Sequence, residues 1–149
     1  MSLKQITIKD QSDLEKFAKN YITLIKDKAT TQAIVVAFSG ELGAGKTTFV
    51  QLVAKELGIT ETVTSPTFTI MKIYQINGDQ KFKQLVHIDA YRIDDLSEVA
   101  PLRLGELMSD NNNLVCIEWS EKIMAVLPDD MFSIDIKVIG ENEREITYS

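Results

Sequence analysis

The segment Gly40-Glu-Leu-Gly-Ala-Gly45-Lys46-Thr47 constrains this chain more than any other. It fits the pattern G-x-x-x-x-G-K-[ST] in full, and its flanks supply the context that the pattern needs. Ala33-Ile-Val-Val-Ala-Phe38 before it is short, apolar and β-branched, as a strand buried on both faces is. After it, Phe49, Val50, Val53, Ala54 and Leu57 recur on one side of a helix that Gly58 stops. Strand, glycine loop and helix together read as a phosphate-binding loop. Its glycines let successive N–H groups face a polyphosphate, and the positive end of the helix dipole acts on the same anion. Lys46 neutralises the β and γ phosphates as a mobile point charge, and the Thr47 hydroxyl is placed to ligand Mg2+.

Such a loop works with a carboxylate across the sheet, at the end of an apolar strand. Two fit. Asp89 closes Leu85-Val-His-Ile-Asp89, and Glu118 closes Leu114-Val-Cys-Ile-Glu118. Both stand at C-terminal strand ends, where open α/β sheets bind ligands, so one holds metal and the other orients water. The residues alone leave open which does which. The Asn-Lys-x-Asp and Asp-x-x-Gly signatures of guanine-nucleotide proteins are absent, as is Leu-Ser-Gly-Gly-Gln of transporter ATPases. A small-molecule kinase surrounds its transferred phosphate with arginines, and this chain has only Arg92, Arg103 and Arg144, which makes a kinase the weaker reading. A non-catalytic nucleotide-dependent interaction module is the other alternative.

Composition narrows the class. At 149 residues and 44% hydrophobic content, one domain over residues 1–149 is expected, with a core that needs no disulfide or structural metal. A single cysteine and a single histidine exclude a disulfide framework and disfavour a zinc cluster, in keeping with a reducing cytoplasmic setting. The net charge of −6 has the wrong sign for gripping DNA or RNA directly. The longest apolar run is the six residues from Ala33 to Phe38, against about 20 for a membrane helix, and no signal-peptide pattern opens the chain. A soluble protein without membrane partners is therefore expected. Cys116, mid-strand among apolar residues, reads as a buried inert thiol, and His87 as a packed, hydrogen-bonded side chain.

The remaining elements follow from period and punctuation. Leu3 to Ile8 reads as a strand, and Ser12 with Glu15 has capping-box spacing for a helix ending near Asp27. Val63 to Pro66 is a loop, Thr67 to Ile76 a strand, and Asn77-Gly78-Asp79 the turn into the strand ending at Asp89. Asp95 with Glu98 starts a helix through Met108, with Pro101 able to delay that start to Ala100. Phe132–Ile139 and Arg144–Tyr148 form a terminal hairpin. The expected fold is α/β of the P-loop NTPase type: a mixed, mostly parallel central sheet flanked by helices, with a C-terminal β-hairpin.

Four blocks together carry a family resemblance: Gly40-Glu-Leu-Gly-Ala-Gly-Lys-Thr-Thr-Phe49, Thr64-Ser-Pro-Thr-Phe68, His87-Ile-Asp-Ala-Tyr-Arg92 and Ile117-Glu-Trp119-Ser-Glu121. In order and spacing they resemble the TsaE (YjeE) family, small bacterial ATPases required for threonylcarbamoyl modification of the adenosine beside the tRNA anticodon. The resemblance extends over nearly the whole chain, including Leu127-Pro-Asp129. It implies an Mg-dependent ATPase, weak alone, that hydrolyses ATP to reset the TsaB–TsaD pair and meets tRNA through that complex. It further implies that Gly43, Ala44, Gly45, Lys46, Thr47 and Thr48 wrap the phosphates, that Thr47 ligands the metal with Glu118 as the other protein ligand, directly or through a water, and that Asp89 matches a residue needed for hydrolysis, the one expected to position the attacking water. By the same resemblance, Thr67 belongs to a nucleotide-sensing switch over Thr64–Thr67, Trp119 lies near the site, and Gln11 and Ser12 approach the base. Glu41 stands where the family often has Asp.

Overall fold

The computed structural model describes residues 2–79 and 81–149. These form one seven-stranded mixed sheet with helices on both faces. The strands are β1 (Lys4–Ile8), β2 (Ile34–Ser39), β3 (Met71–Gln75), β4 (Gln84–Asp89), β5 (Asn113–Glu118), β6 (Phe132–Val138) and β7 (Arg144–Tyr148), in spatial order β1-β7-β6-β2-β5-β4-β3. The four inner strands β6, β2, β5 and β4 run parallel, and each edge is completed by antiparallel pairs.

Side-chain alternation divides the core. Val36 and Phe38 of β2, Leu85 of β4, and Leu114 and Cys116 of β5 pack toward α1 (Gln11–Lys26) and α2 (Lys46–Glu56). Val35, Val86, Ile88, Val115 and Ile117 point the other way, against Val99, α3 (Leu104–Ser109) and Ile123. Both faces of the inner strands are therefore apolar, which is why these strands read as continuous hydrophobic runs.

Three local expectations are corrected. The cap of α1 is Asp10, whose carboxylate accepts from the Asp13 N–H at 2.9 Å while Asp13 accepts from the Lys9 N–H at 3.0 Å, so the start lies before Ser12. The strand expected from Thr67 begins only at Met71. Residues 67–70 instead turn, with Ile70 at φ 68° and its N–H bonded to the Pro66 carbonyl at 2.6 Å. The helix expected through Met108 is two pieces. Asp95 and Glu98 do form the capping box, but they open a 3-10 helix, Leu96–Leu102, containing Pro101. Arg103 at φ 55° then breaks the path before α3. Proline has no N–H to continue an α-helical ladder, so the tighter turn ends where Arg103 goes left-handed.

Candidate functional site

Because β2, β4 and β5 are parallel, their C-terminal ends fall on one side of the sheet. Residues 40–45 leave β2 there and turn into α2. Gly40 (φ 135°) is needed for a close approach: a Cβ there would lie 2.5 Å from the Ile136 carbonyl oxygen of β6. Gly45 (φ 112°) is the N-cap of α2, a conformation that L side chains rarely adopt.

The two long helices begin differently. α1 is capped by Asp10 and has Asp13 in its first turn. α2 has no side-chain cap and no acid in its first turn, and its first i to i−4 bond runs from the Phe49 N–H to the Gly45 carbonyl at 2.9 Å. The amides ahead of that bond, at a positive dipole end, suit an anion.

Thr47 and Glu118, paired in the sequence reading, are in contact. The Thr47 hydroxyl donates to the Glu118 carboxylate, with Oγ1 2.8 Å from Oε1 and 2.9 Å from Oε2. Glu118 is 3% exposed, and its Oε2 also lies 2.6 Å from Nε2 of the fully buried His87. Asp89 pairs in register with Glu118 across β4 and β5. Its Oδ2 accepts from Ser65 and Thr67 hydroxyls, each at 3.0 Å, and its Oδ1 from the Tyr91 N–H at 3.0 Å. The loop before β3 is thereby fastened to the carboxylate.

Lys46 is folded back on its own loop. Its ammonium donates to the Gly40 carbonyl at 2.5 Å and the Glu41 carbonyl at 3.0 Å, and sits 4.3 Å from the Trp119 ring centre. Burial holds this ammonium below the usual lysine range, against the opposing pull of Glu118, Glu121, Asp89 and Asp135. Trp119 itself is left-handed (φ 56°), and its ring lies 5.1 Å from that of Tyr91.

Most of the residues singled out from sequence, including every phosphate-loop residue from Gly43 to Thr48 with Thr67, Asp89, Glu118 and Trp119, meet around two adjoining clefts. One, of about 300 Å³, is lined by Gly43, Gly45, Lys46, Thr47, Thr48, Thr67, Asp89, Glu118 and Trp119. The other, of about 360 Å³, shares Gly43, Gly45 and Thr48 and adds Ala44, Gln11 and Arg144. Ser12 does not line either cleft, whereas Gln11 does. Sequence reasoning missed three participants: Ser65 as a donor to Asp89, His87 as the partner of Glu118, and Arg144, whose Nε donates to the Ala44 carbonyl at 3.0 Å. The first two sat in quoted blocks two residues from a named group, but their direction needed the folded loop and sheet.

A magnesium-sized cation fits this donor set. A hydroxyl that ligates a cation through a lone pair can still donate its hydrogen to Glu118, and such cations keep several waters and phosphate oxygens rather than an all-protein cage. Among the described residues, no group of three or more His, Cys, Asp and Glu side chains could hold a metal ion. Nor is any helix among them long and apolar enough to cross a membrane.

Comparison with known proteins bears on identity. The family model described as "Threonylcarbamoyl adenosine biosynthesis protein TsaE" matches residues 8–146. The tRNA threonylcarbamoyladenosine biosynthesis protein TsaE of Bacillus subtilis is 44% identical over 116 residues, covering 77% of this chain and 68% of its own. The protein of the same description from Aquifex aeolicus is 31% identical over 146 residues, covering 97% and 94%. The crystal structure of Bacillus subtilis YdiB superposes with a TM-score of 0.76 at 31% identity, covering 99% of this chain and 84% of that one. With the family model spanning almost the full sheet and both clefts, the chain belongs to the TsaE family of threonylcarbamoyl adenosine biosynthesis proteins.

Proposed function

We propose that the chain is an Mg-dependent P-loop ATPase of tRNA threonylcarbamoyladenosine biosynthesis, hydrolysing ATP to reset a TsaB–TsaD pair without itself transferring the group. The observation that carries this reading is the contact of Thr47 with Glu118 beside the uncapped start of α2, with Asp89 on the adjacent strand. That is the donor set a magnesium–triphosphate needs.

On this reading the first-turn amides of α2 and the loop from Gly43 to Thr48 bind the phosphates, and the Lys46 ammonium swings from the Gly40 and Glu41 carbonyls onto them. Thr47 and Glu118 hold Mg2+, which when bound offsets charge on the β and γ phosphates. Asp89 accepts a hydrogen bond from the attacking water and sets its line of approach once the Ser65 and Thr67 hydroxyls turn from it to the γ-phosphate. The second cleft, from Gly43 to Gln11 and Arg144, takes ribose and base. With a net charge of −6, the chain docks on protein partners in the cytoplasm, and tRNA contacts come through them.

The test is ATP turnover by the chain alone, with the TsaB–TsaD pair, and with the pair plus tRNA. Slow release of inorganic phosphate that rises with the pair supports the reading. Phosphate appearing on a small acceptor would make it a kinase, and binding without turnover under all three conditions would make it a nucleotide-dependent interaction module.

A further inference from the structure

We propose that His87 is the positioning residue for Glu118, fixing the carboxylate's plane so that it can serve Thr47 and the cation. This rests on the Mg-nucleotide reading above. His87 and Asp89 lie two apart on β4, so both project to the α2 side of the sheet, where Glu118 projects from β5. His87 is 0% exposed, and its Nε2 lies 2.6 Å from Glu118 Oε2. The Thr47 hydroxyl reaches the same carboxylate from α2.

The terminal torsion of a glutamate is broad, so one hydrogen bond leaves its carboxylate plane poorly determined. Two donors on different elements fix it. His87 donates from β4 to Oε2, Thr47 donates from the first turn of α2, and Oε1 carries no other bond from the described residues. His87 Nδ1 is buried and has no hydrogen-bond partner among the described residues, which matches the tautomer with its hydrogen on Nε2. Its register partners, Lys72 on β3 and Cys116 on β5, make no hydrogen bond to the imidazole, whose one bond among the described residues is to this carboxylate.

The experiment is a titration with ATP followed through Trp119 emission, in Mg2+ and in EDTA, on the parent chain, His87→Gln and His87→Leu. Glutamine keeps a donor at nearly the reach of Nε2, and leucine keeps bulk alone. The expected result is that His87→Leu loses about tenfold or more of the Mg-dependent gain in ATP affinity, as loss of a ligand's outer partner does. Affinity in EDTA stays near the parent's, and His87→Gln recovers most of the gain. Full gain in His87→Leu, a parallel fall in EDTA, or a glutamine variant as poor as leucine overturns the proposal and leaves the Mg site standing. No Mg-dependent gain in the parent removes the Mg site itself and this proposal with it.

A second measurement needs no variant. His87 is the sole histidine, so imidazole nitrogen–proton correlation spectra of the parent carry one side chain. They are expected to show the hydrogen on Nε2 and a displacement when Mg2+ joins the ATP complex. An unprotonated Nε2, or a signal that Mg2+ leaves in place, contradicts the assignment.

Discussion

At the scale of residues, Lys46 is the most informative group. Lys46 is 4% exposed and bound to two carbonyls of its own loop, whose dipoles only partly replace its hydration, and on the proposed reading it leaves them for a phosphate. Moving it to a phosphate takes it off the Trp119 ring. Adding Mg-ATP should therefore change the emission of the chain's single tryptophan, and an emission blind to saturating nucleotide would contradict the motion. Asp89→Asn should leave ATP affinity within about threefold, since the carboxylate is not asked to hold phosphate, while lowering partner-stimulated turnover by about 100-fold or more. Unchanged turnover would move the water-orienting role elsewhere. The residue types were open to reading in the sequence because the motif fixes their spacing. Which hydroxyls face Asp89 was not, because Ser65 and Thr67 reach it across more than twenty residues of chain.

At the scale of elements, the glycine loop is held against the β6–β7 hairpin. Gly40 abuts the Ile136 carbonyl, and Arg144 donates to the Ala44 carbonyl. Gly40→Ala should destabilise the fold by about 1–3 kcal/mol, because the added carbon meets backbone that cannot rotate aside. Chemical denaturation checks this, and a variant as stable as the parent would show that the contact relaxes. The turn before β4 is tied to the end of α1 by an ion pair of Asp79 with Lys26. Burial pushes the Asp79 carboxyl up, but Lys26 and the Phe82 and Lys81 backbone N–H groups outweigh it and hold it below the usual range. A depressed acid stabilises above its unfolded-state value and loses that contribution as pH falls through the folded one. Asp79→Asn should thus destabilise at neutral pH, with the gap to the parent closing below about pH 4. A constant gap across that range would point to shape rather than charge. Elements with a strong period, such as α2 and β5, were evident from sequence. The segments at 67–70 and at Arg103 were not, because a left-handed Ile70 or Arg103 carries no compositional mark.

At the scale of the whole molecule, the parallel inner strands bring Gly40, Asp89 and Glu118 to one end of the sheet, although they are spread over about half of the chain. Parallel pairing of β4 and β5 follows from their two-sided apolar character. That β6 lies beside β2, and so puts the hairpin against the glycine loop, depends on long-range register that no local pattern encodes. The same interior shields Cys116, whose thiol is pushed up by burial and further by Glu118. Iodoacetamide should leave the native chain unmodified and label it once in denaturant, and rapid native labelling would contradict a closed core. On the proposed reading, the loop after β2, with Thr47 and Glu118, holds Mg-ATP. Calorimetric titration of Mg-ATP into the parent and into Lys46→Ala tests it most directly. The parent should bind, and the variant should lose about 100-fold or more in affinity; a variant that binds as tightly as the parent would contradict the assignment of this site.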